Sequence, residues 1–294
     1  MELEGRILKS ISGFYEVEAD GILYTCKARG VFRKTGTTPL VGDYVHITAD
    51  SADGEGTVDE VLPRRNALAR PPVANLDNLF IIVSVCEPEP NALVIDRLTA
   101  IAEYKKIEPI LVVTKSDLGS AERLLETYRK AGFRTFCVGE DDRGDVDEMR
   151  ELLRGRISAF TGNTGVGKST LLNALDPTLS IATAQISQKL GRGRHTTRHV
   201  ELYRTCGGYV ADTPGFSALD IENGEFIHKD ELQYCFREFA PYLGECRFTS
   251  CAHVRDKGCR VLEALQAGEI AQSRHASYAA LYEEAKQIKD WQIK

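Results

Sequence analysis

The sequence has no hydrophobic run that approaches the ~20 residues that a membrane-spanning helix needs. Its N-terminus, Met1-Glu-Leu-Glu-Gly, lacks the basic segment and the apolar segment of a secretory signal. It also contains no internal repeat and no low-complexity tract. From these absences we expect a cytoplasmic protein that does not bind membranes.

The chain also lacks an excess of positive charge. Its 294 residues include 37 Lys and Arg and 43 Asp and Glu, which gives a net charge of −6. An acidic total argues against binding RNA by bulk charge alone, but it allows local basic patches such as Lys27, Arg29, Arg33 and Lys34. Hydrophobic residues make up 43% of the chain, which is typical of a globular protein with two or three domains.

Residues 1–70 contain short β-rich runs separated by glycine and aspartate turns. Five strands in so short a segment predict a small barrel, either an OB-fold or an SH3-like barrel. Arginine and proline residues between 63 and 72 then indicate a linker. The predicted strands are residues 5–9, 14–18, 22–28, 44–49 and 56–62.

From residue 76 onward, strands alternate with helices, which predicts a doubly wound α/β domain. The continuous apolar run at 78–85 is typical of a buried parallel strand. After Gly215 the strand pattern ends, and a single helical run is expected from 261 to about 291. The other predicted strands are 109–113, 134–138, 156–160 and 208–211, and the helices are 95–104, 121–130 and 146–153.

The segment 162–170 contains the phosphate-loop pattern G-x-x-x-x-G-K-[ST], between a predicted strand and a predicted helix. Its glycines let backbone N–H groups surround the phosphates, Lys168 reaches the β and γ phosphates, and Ser169 supplies a hydroxyl to Mg²⁺. A glycine-rich turn that matches by chance is the alternative. The residues are Gly162, Asn163, Thr164, Gly165, Val166, Gly167, Lys168, Ser169 and Thr170.

A second motif, D-x-x-G, ends the apolar strand before residue 212. Asp212 would hold Mg²⁺, and the N–H of Gly215 would meet the γ-phosphate. The Gly- and Arg-rich segment 191–198 lies between the two motifs and is typical of a switch, in which Thr197, or else Thr196, would close over Mg²⁺. A solvated basic loop is the alternative.

The residue after this D-x-x-G motif is Phe216, where many GTPases have a glutamine that orients the attacking water. Phenylalanine cannot orient water, so we expect slow intrinsic hydrolysis. His195 is the candidate to take over this role, because a neutral imidazole can accept a proton from water. A structural histidine is the alternative.

A guanine-reading motif is expected at Thr114, Lys115, Ser116 and Asp117, which resemble N-K-x-D. A carboxylate at Asp117 accepts from guanine N1–H and the 2-amino group together, a pairing that adenine cannot offer. Thr114 replaces the usual Asn, and a helix N-cap is the alternative reading. A companion loop is expected near 139–140. Because Asp117 precedes the phosphate loop, the motif order is that of a circularly permuted domain.

Three cysteines and one histidine crowd into 14 residues near the C-terminus: Cys246, Cys251, His253 and Cys259. Three thiolates and one imidazole suit tetrahedral Zn²⁺, and four protein ligands indicate a structural site. Buried free thiols and an iron–sulfur site are the alternatives. His228 and His275 lack such neighbours and are expected at the surface.

These features together resemble the ribosome small-subunit-dependent GTPase A family, also called the YjeQ type. The resemblance covers nearly the whole chain and also includes 38–43, 73–77 and the segment 193–197. It implies GTP and GDP binding, Mg²⁺, one structural Zn²⁺ and subunit-stimulated GTP hydrolysis in late maturation of the small (30S) ribosomal subunit. It further implies rRNA binding and release of other assembly factors.

The sequence therefore predicts a multi-domain α/β protein, which we expect to be a monomer. Its parts would be an N-terminal OB-like β-barrel (1–70), a central circularly permuted P-loop GTPase domain (71–225) and a C-terminal zinc-binding, mainly helical domain (226–294). An ATP-using enzyme, an RNA-binding protein with a relic nucleotide site and a translation factor are the rival functions.

Overall fold

A computed structural model describes residues 1–30, 32, 36–50, 54–139, 143–179, 200–212 and 225–288. The chain divides into two compact units. The first contains Met1–Asn78, Val146–Phe160 and Ser169–Phe216, and the second contains Leu79–Asp145, Thr161–Lys168 and Ser217–Lys294. Among the helices within the described ranges, none is long and apolar enough to cross a membrane.

The first unit begins with a closed barrel of five strands. The strand order is β1-β2-β3-β5-β4, and β1 also pairs with β4, which closes the barrel. This arrangement is the OB-like barrel, so the choice left open by the sequence is settled against the SH3-like form. The strands are β1 (Glu2–Ile11), β2 (Phe14–Ala19), β3 (Ile22–Ala28), β4 (Tyr44–Ala49) and β5 (Glu55–Val61).

Strand β1 pairs with both β2 and β4, and its register against β2 shifts between Ile7 and Lys9. Residues 2–6 pair with β4, whereas β2 pairs with residues 6–7 before this irregularity and with residues 9–11 after it. An extra residue of this kind bends a strand and increases its twist, which lets β1 close the barrel. The barrel interior is filled by the fully buried side chains of Ile7, Val17, Val45, Ile47 and Val58.

The segment predicted to be a linker packs against the barrel instead. Its strand β6 (Ala67–Leu68) forms a short antiparallel pair with β7 (Val73–Ala74), which directly follows the segment. Arg64 donates from Nε and Nη2 to both carboxylate oxygens of the buried Asp43, each at 2.7 Å. The arginine and proline content suggested a solvated connection, but Arg64 is needed here to satisfy a buried carboxylate.

The second unit continues with three strands in the order β10-β9-β8. They are β8 (Asn78–Ser84), β9 (Glu108–Thr114) and β10 (Arg134–Val138), with helix α1 (Ala92–Tyr104) after β8 and helix α2 (Glu122–Lys130) after β9. Strands β9 and β10 are parallel. Every residue of β8 is buried, as its continuous apolar sequence predicted.

The first unit also contains most of helix α3 (Arg143–Leu153) and strand β11 (Ile157–Thr161), which pairs in parallel with β13 (Gly208–Asp212). Helix α4 (Lys168–Leu175) precedes strand β12 (Glu201–Thr205), which the sequence did not predict. The five residues of β12 include two charged ones and give a weak strand signal. They form a strand because β12 pairs with both β13 and β1.

The C-terminal part of the second unit is mainly helical, with α5 (Lys229–Leu232), α6 (Arg260–Gln266) and α7 (Gln272–Ala285). The single helix predicted from 261 to about 291 is therefore wrong. It is interrupted at Gly268, whose φ of +75° ends α6 in a left-handed residue. The end of the predicted run, including Trp291, lies outside the described residues.

Helix α7 is attached to α1 through a buried arginine. Arg274 donates from Nη1 to Asp96 Oδ1 at 2.7 Å, and from Nε and Nη2 to Glu238 at 2.7 and 3.1 Å. The hydroxyl of Tyr128 donates to the same Asp96 oxygen at 2.6 Å, and the guanidinium lies 4.6 Å from the ring centroid of Phe236. We call these five residues the Arg274 cluster.

All the charges of the Arg274 cluster are shielded from water. Arg274 and Asp96 are fully buried. Burial alone lowers the pKa of Arg274, but Asp96 and Glu238 outweigh this effect and raise the pKa above its usual value. The arginine is therefore a permanent cation that compensates two buried carboxylates.

Replacing Arg274 should destabilise the protein strongly. Arg274→Met leaves the Asp96 and Glu238 carboxylates buried without a cation, a change that costs about 3–5 kcal/mol in other proteins. The control Arg260→Met removes only an exposed ion pair with Glu263, worth at most about 1 kcal/mol. Urea unfolding followed by far-UV circular dichroism measures both, and equal losses for the two variants would contradict a stabilising role for the cluster.

Candidate functional site

The predicted phosphate loop joins β11 to α4, in the strand–loop–helix context that the motif requires. Gly162, Gly165 and Gly167 have φ angles of +153°, +84° and +88°, a region that side chains with a Cβ disfavour. A Cβ on Gly162 would lie 2.3 Å from the carbonyl oxygen of Ile82. Glycine is therefore needed where the loop passes over the end of β8.

The side chain of Lys168, the first residue of α4, folds back over the phosphate loop. Its Nζ donates to the carbonyl oxygens of Gly162 and of Asn163, the latter at 2.8 Å. Burial lowers the pKa of this lysine, because a partly desolvated ammonium loses hydration. An ammonium that donates to two carbonyls of the phosphate loop can exchange them for phosphate oxygens, which fits binding of a nucleotide phosphate.

Thr114, the last residue of β9, brings the base-reading motif and the phosphate loop together. Its hydroxyl Oγ1 lies 2.5 Å from the carbonyl oxygen of Val166 in the phosphate loop and 3.0 Å from that of Val83 in β8. Gly167 is in ordinary van der Waals contact with the same side chain. The two motifs predicted from distant parts of the sequence are thus direct neighbours.

The residues after Thr114 form a tight turn. Lys115 has a left-handed backbone with φ of 57°, and its Nζ donates to the carbonyl oxygen of Glu87 at 2.7 Å. Ser116 and Asp117 begin a short 3-10 helix, and Asp117 is exposed. This short helix has no side-chain capping hydrogen bond, and an exposed carboxylate three residues after Thr114 is available to a ligand, which fits a guanine-reading role better than the helix-capping alternative.

The predicted Mg²⁺ ligand Asp212 is the last residue of strand β13, the position that the D-x-x-G motif requires. The other predicted switch and catalytic residues lie outside the described residues. They are Gly191, His195, Thr196, Thr197, Arg198, Gly215 and Phe216.

The hairpin of β12 and β13 is bonded to the barrel by charged side chains. The carboxylate of Glu18 on β2 accepts hydrogen bonds from Arg204 on β12 and, at 2.5 Å, from the hydroxyl of Tyr209 on β13. Lys9 on β1 forms an ion pair with Glu201 on β12 at 2.9 Å. Sequence reasoning missed this contact because it missed β12 and because the partners lie far apart in the chain.

The Cys/His cluster has the dimensions of a tetrahedral metal site. The ligand atoms of Cys246, Cys251, His253 and Cys259 all lie within 4.8 Å of one another. His253 Nδ1 is 3.4 Å from Cys259 Sγ and 3.6 Å from Cys246 Sγ, and these two sulfurs are 3.9 Å apart. A tetrahedron with Zn–S bonds of about 2.3 Å has edges of about 3.8 Å, so the four side chains fit Zn²⁺.

Helix α7 holds the turn that carries His253 through two hydrogen bonds. His253 has a left-handed backbone with φ of 59°, and its carbonyl oxygen accepts from Nε2 of His275 at 2.8 Å. The hydroxyl of Tyr278 donates to the neighbouring carbonyl of Ala252 at 3.0 Å. The prediction that His275 lies at the surface is wrong, because its ring is buried and holds the metal-site turn.

Comparison with known proteins agrees with this geometry. Residues 61–222 match the family described as RsgA GTPase, and residues 4–58 match the family described as RsgA N-terminal domain. The chain belongs to the RsgA GTPase family. This membership confirms the resemblance seen in the sequence, and the protein is a GTPase.

Several RsgA relatives align over nearly their whole length. A small ribosomal subunit biogenesis GTPase RsgA from Geobacillus kaustophilus is 44% identical over 292 residues, which cover 97% of this chain and 98% of the relative. A protein of the same name from Alkaliphilus metalliredigens is 41% identical over 288 residues, covering 96% of this chain and 98% of the relative.

Two solved structures share the fold of this RsgA chain. YloQ, described as a circularly permuted GTPase, has a TM-score of 0.80 and 34% identity, and the match covers 98% of this chain and 96% of YloQ. YjeQ from Thermotoga maritima has a TM-score of 0.81 and 33% identity, covering 98% and 100% of the two chains. The predicted fold class, with its OB-like barrel and permuted GTPase domain, is confirmed.

The Thr114 hydroxyl should be required for tight nucleotide binding in this RsgA protein. Thr114→Val keeps the shape of the side chain but leaves the phosphate-loop carbonyl of Val166 without its donor, a loss of about 1–3 kcal/mol. We expect mant-GDP affinity, measured by fluorescence titration, to fall about tenfold or more.

Two controls make this measurement specific. Thr114→Ser keeps the hydroxyl and should bind like the parent. Thr127→Val removes a hydroxyl that bonds only within α2, to the carbonyl of Arg123, and should have no effect. Parental affinity in Thr114→Val would disprove the role of this hydroxyl.

Proposed function

We propose that this protein hydrolyses GTP to GDP and phosphate as an assembly factor in late maturation of the small ribosomal subunit. Its relatives of the same family carry the name small ribosomal subunit biogenesis GTPase. The observation that supports a working nucleotide site most directly is the Thr114 hydroxyl, which lies between the base-reading turn and the phosphate loop.

In this proposal the phosphates lie on the loop from Gly162 to Thr170. The backbone N–H groups of the loop and the N-terminus of α4 would surround the phosphate oxygens, and Lys168 would neutralise the β and γ phosphates. Ser169, Asp212 and Thr197, with Thr196 as the alternative to Thr197, would hold Mg²⁺. A bound Mg²⁺ neutralises charge on the phosphates.

The base would be read at the exposed end of β9. Asp117 would accept from two nitrogen donors of guanine, and the stem of Lys115 would lie along the face of the base. Thr114 would hold this turn against the phosphate loop without touching the base. This division of roles allows the usual Asn to be replaced without loss of guanine recognition.

Hydrolysis would be slow until a partner is bound. Phe216 takes the position of the water-orienting glutamine, so His195 is the proposed group that positions the attacking water. The bound small subunit would place His195 and Thr197, and Gly215 would respond to the γ-phosphate. Stimulation by the subunit and release of other assembly factors follow from this scheme.

Two flanking modules would contact rRNA. On the barrel, the ammonium of Lys27 lies 5.0 Å from the ring centroid of the exposed Phe14, a combination of charge and stacking surface that suits nucleic acid. Arg29 forms an ion pair with Asp59 at 2.8 Å and is therefore a weaker candidate. The other two basic residues of the predicted patch, Arg33 and Lys34, lie outside the described residues.

The remaining proposals concern organisation. We propose a cytoplasmic monomer with domain limits at 1–70, 71–225 and 226–294. One Zn²⁺ would be held by the four residues of the Cys/His cluster and would cross-link the C-terminal module beside its buried apolar cluster, which includes Phe236, Phe239 and Tyr278.

Asp117 should determine which base is accepted. Asp117→Asn exchanges a carboxylate acceptor for an amide, so we expect loss of GTP hydrolysis and a gain with XTP, whose 2-oxo group can accept from the amide. Asp147→Asn, an exposed change on α3, is the control. Steady-state hydrolysis of both nucleotides measures the effect. Unchanged GTP use together with no gain for XTP would exclude guanine reading by Asp117.

Small subunits should bind more tightly to the GTP form than to the GDP form. We expect purified 30S particles to retain more protein with a non-hydrolysable GTP analogue than with GDP in a sedimentation assay, and to accelerate GTP hydrolysis. Because phosphate contacts release counterions, binding should weaken as salt rises. Equal retention in the two nucleotide states, or no acceleration, would refute the proposed gating.

A further inference from the structure

The ring of His253 is held on both nitrogens. Its Nδ1 faces the sulfurs of Cys246 and Cys259, whereas its Nε2 lies 2.9 Å from Oε1 of Gln233. Gln233 comes from the short 3-10 helix Gln233–Cys235, twenty residues earlier in the chain. The sequence spacing that identifies the four metal-cluster residues does not include a residue twenty positions before His253.

The orientation of the Gln233 amide is fixed by a second contact. Its Nε2 donates to the carbonyl oxygen of Asp230 at 3.1 Å. A carbonyl can only accept, so the NH₂ group must point toward Asp230 and the amide oxygen must point toward His253. The amide oxygen is also only an acceptor, so the facing Nε2 of His253 must carry the proton.

This chain of donors determines which imidazole nitrogen is free. With the proton on Nε2, the lone pair of Nδ1 points into the space between the sulfurs, where a metal ligand is required. We propose that Gln233 is a positioning residue of the metal centre, because its amide oxygen holds His253 in the tautomer and orientation that present Nδ1 to the metal. This inference rests on the proposed zinc site.

The turn that carries His253 is supported independently of Gln233. The carbonyl of His253 is bonded to His275, and that of Ala252 to Tyr278, both from α7. Removing the Gln233 amide therefore leaves the backbone of the metal-site turn in place and affects the ring alone. Outer partners of this kind change metal affinity by about 10–100-fold in other metal sites.

The test compares zinc affinity in four variants of the full-length protein. Gln233→Leu removes the acceptor, and we expect it to bind one zinc with about 10–100-fold lower affinity than the parent. Gln233→Glu keeps an acceptor and should recover most of that loss. Gln266→Leu changes an exposed glutamine at the end of α6 and should bind like the parent. Cys251→Ser removes a ligand and should lose the metal.

Zinc content by mass spectrometry and affinity by chelator competition provide the readout. Nitrogen-15 NMR of the zinc-loaded parent should show His253 with metal on Nδ1 and a proton on Nε2. Parental affinity in Gln233→Leu, equal losses in the Leu and Glu variants, or metal on Nε2 would each overturn the inference. A parent without zinc would instead remove the proposed metal site itself.

Far-UV circular dichroism of zinc-saturated Gln233→Leu shows whether the variant is folded, and a loss of affinity that Gln233→Glu does not recover counts against the inference.

Discussion

A guanidinium that is fully buried needs carboxylates within hydrogen-bond reach, and at Arg274 these come from two distant parts of the chain. Asp96 lies on α1, directly after β8, and Glu238 belongs to the C-terminal segment. The position of α7 relative to α1 is fixed by this requirement. Because His275 and Tyr278 on the same helix hold the turn around His253, the geometry of the metal cluster depends on the same arginine.

The two flanking modules are attached to different elements of the α/β fold. The C-terminal module is bonded to α1 through the Arg274 cluster, whereas the barrel is bonded to the hairpin of β12 and β13 through Glu18 and Lys9. Glu201, the first residue of this hairpin, is paired with both Asp212 and Lys9. In the sequence, the segments proposed as switches precede β12 and follow β13.

Local sequence patterns predicted those elements that are determined by their own residues and need no partner from elsewhere in the chain. The apolar run of β8 and the glycines of the phosphate loop are of this kind, since burial and positive φ each demand particular residue types. Strand β12 and the buried ring of His275 were not predicted because each depends on a partner elsewhere in the chain, whereas the break at Gly268 has a local cause, a glycine with positive φ. The four metal-cluster residues were found by spacing, but Gln233 could not be, since only the fold brings it to His253.

The replacement of the usual asparagine by Thr114 can be understood by counting the hydrogen-bond donors of the two side chains. Asparagine has two N–H donors, whereas a threonine hydroxyl has one proton and cannot donate to the carbonyls of Val83 and Val166 at the same time. The shorter distance, 2.5 Å against 3.0 Å, assigns the proton to the phosphate loop. The contact retained is therefore the one that joins the two halves of the nucleotide site. The hydrogen bond that the threonine does not make is the one to the Val83 carbonyl in β8. The buried side chains of β8 keep this strand in place without that bond. The substitution affects loop placement and leaves Asp117, the proposed reader of the base, unchanged.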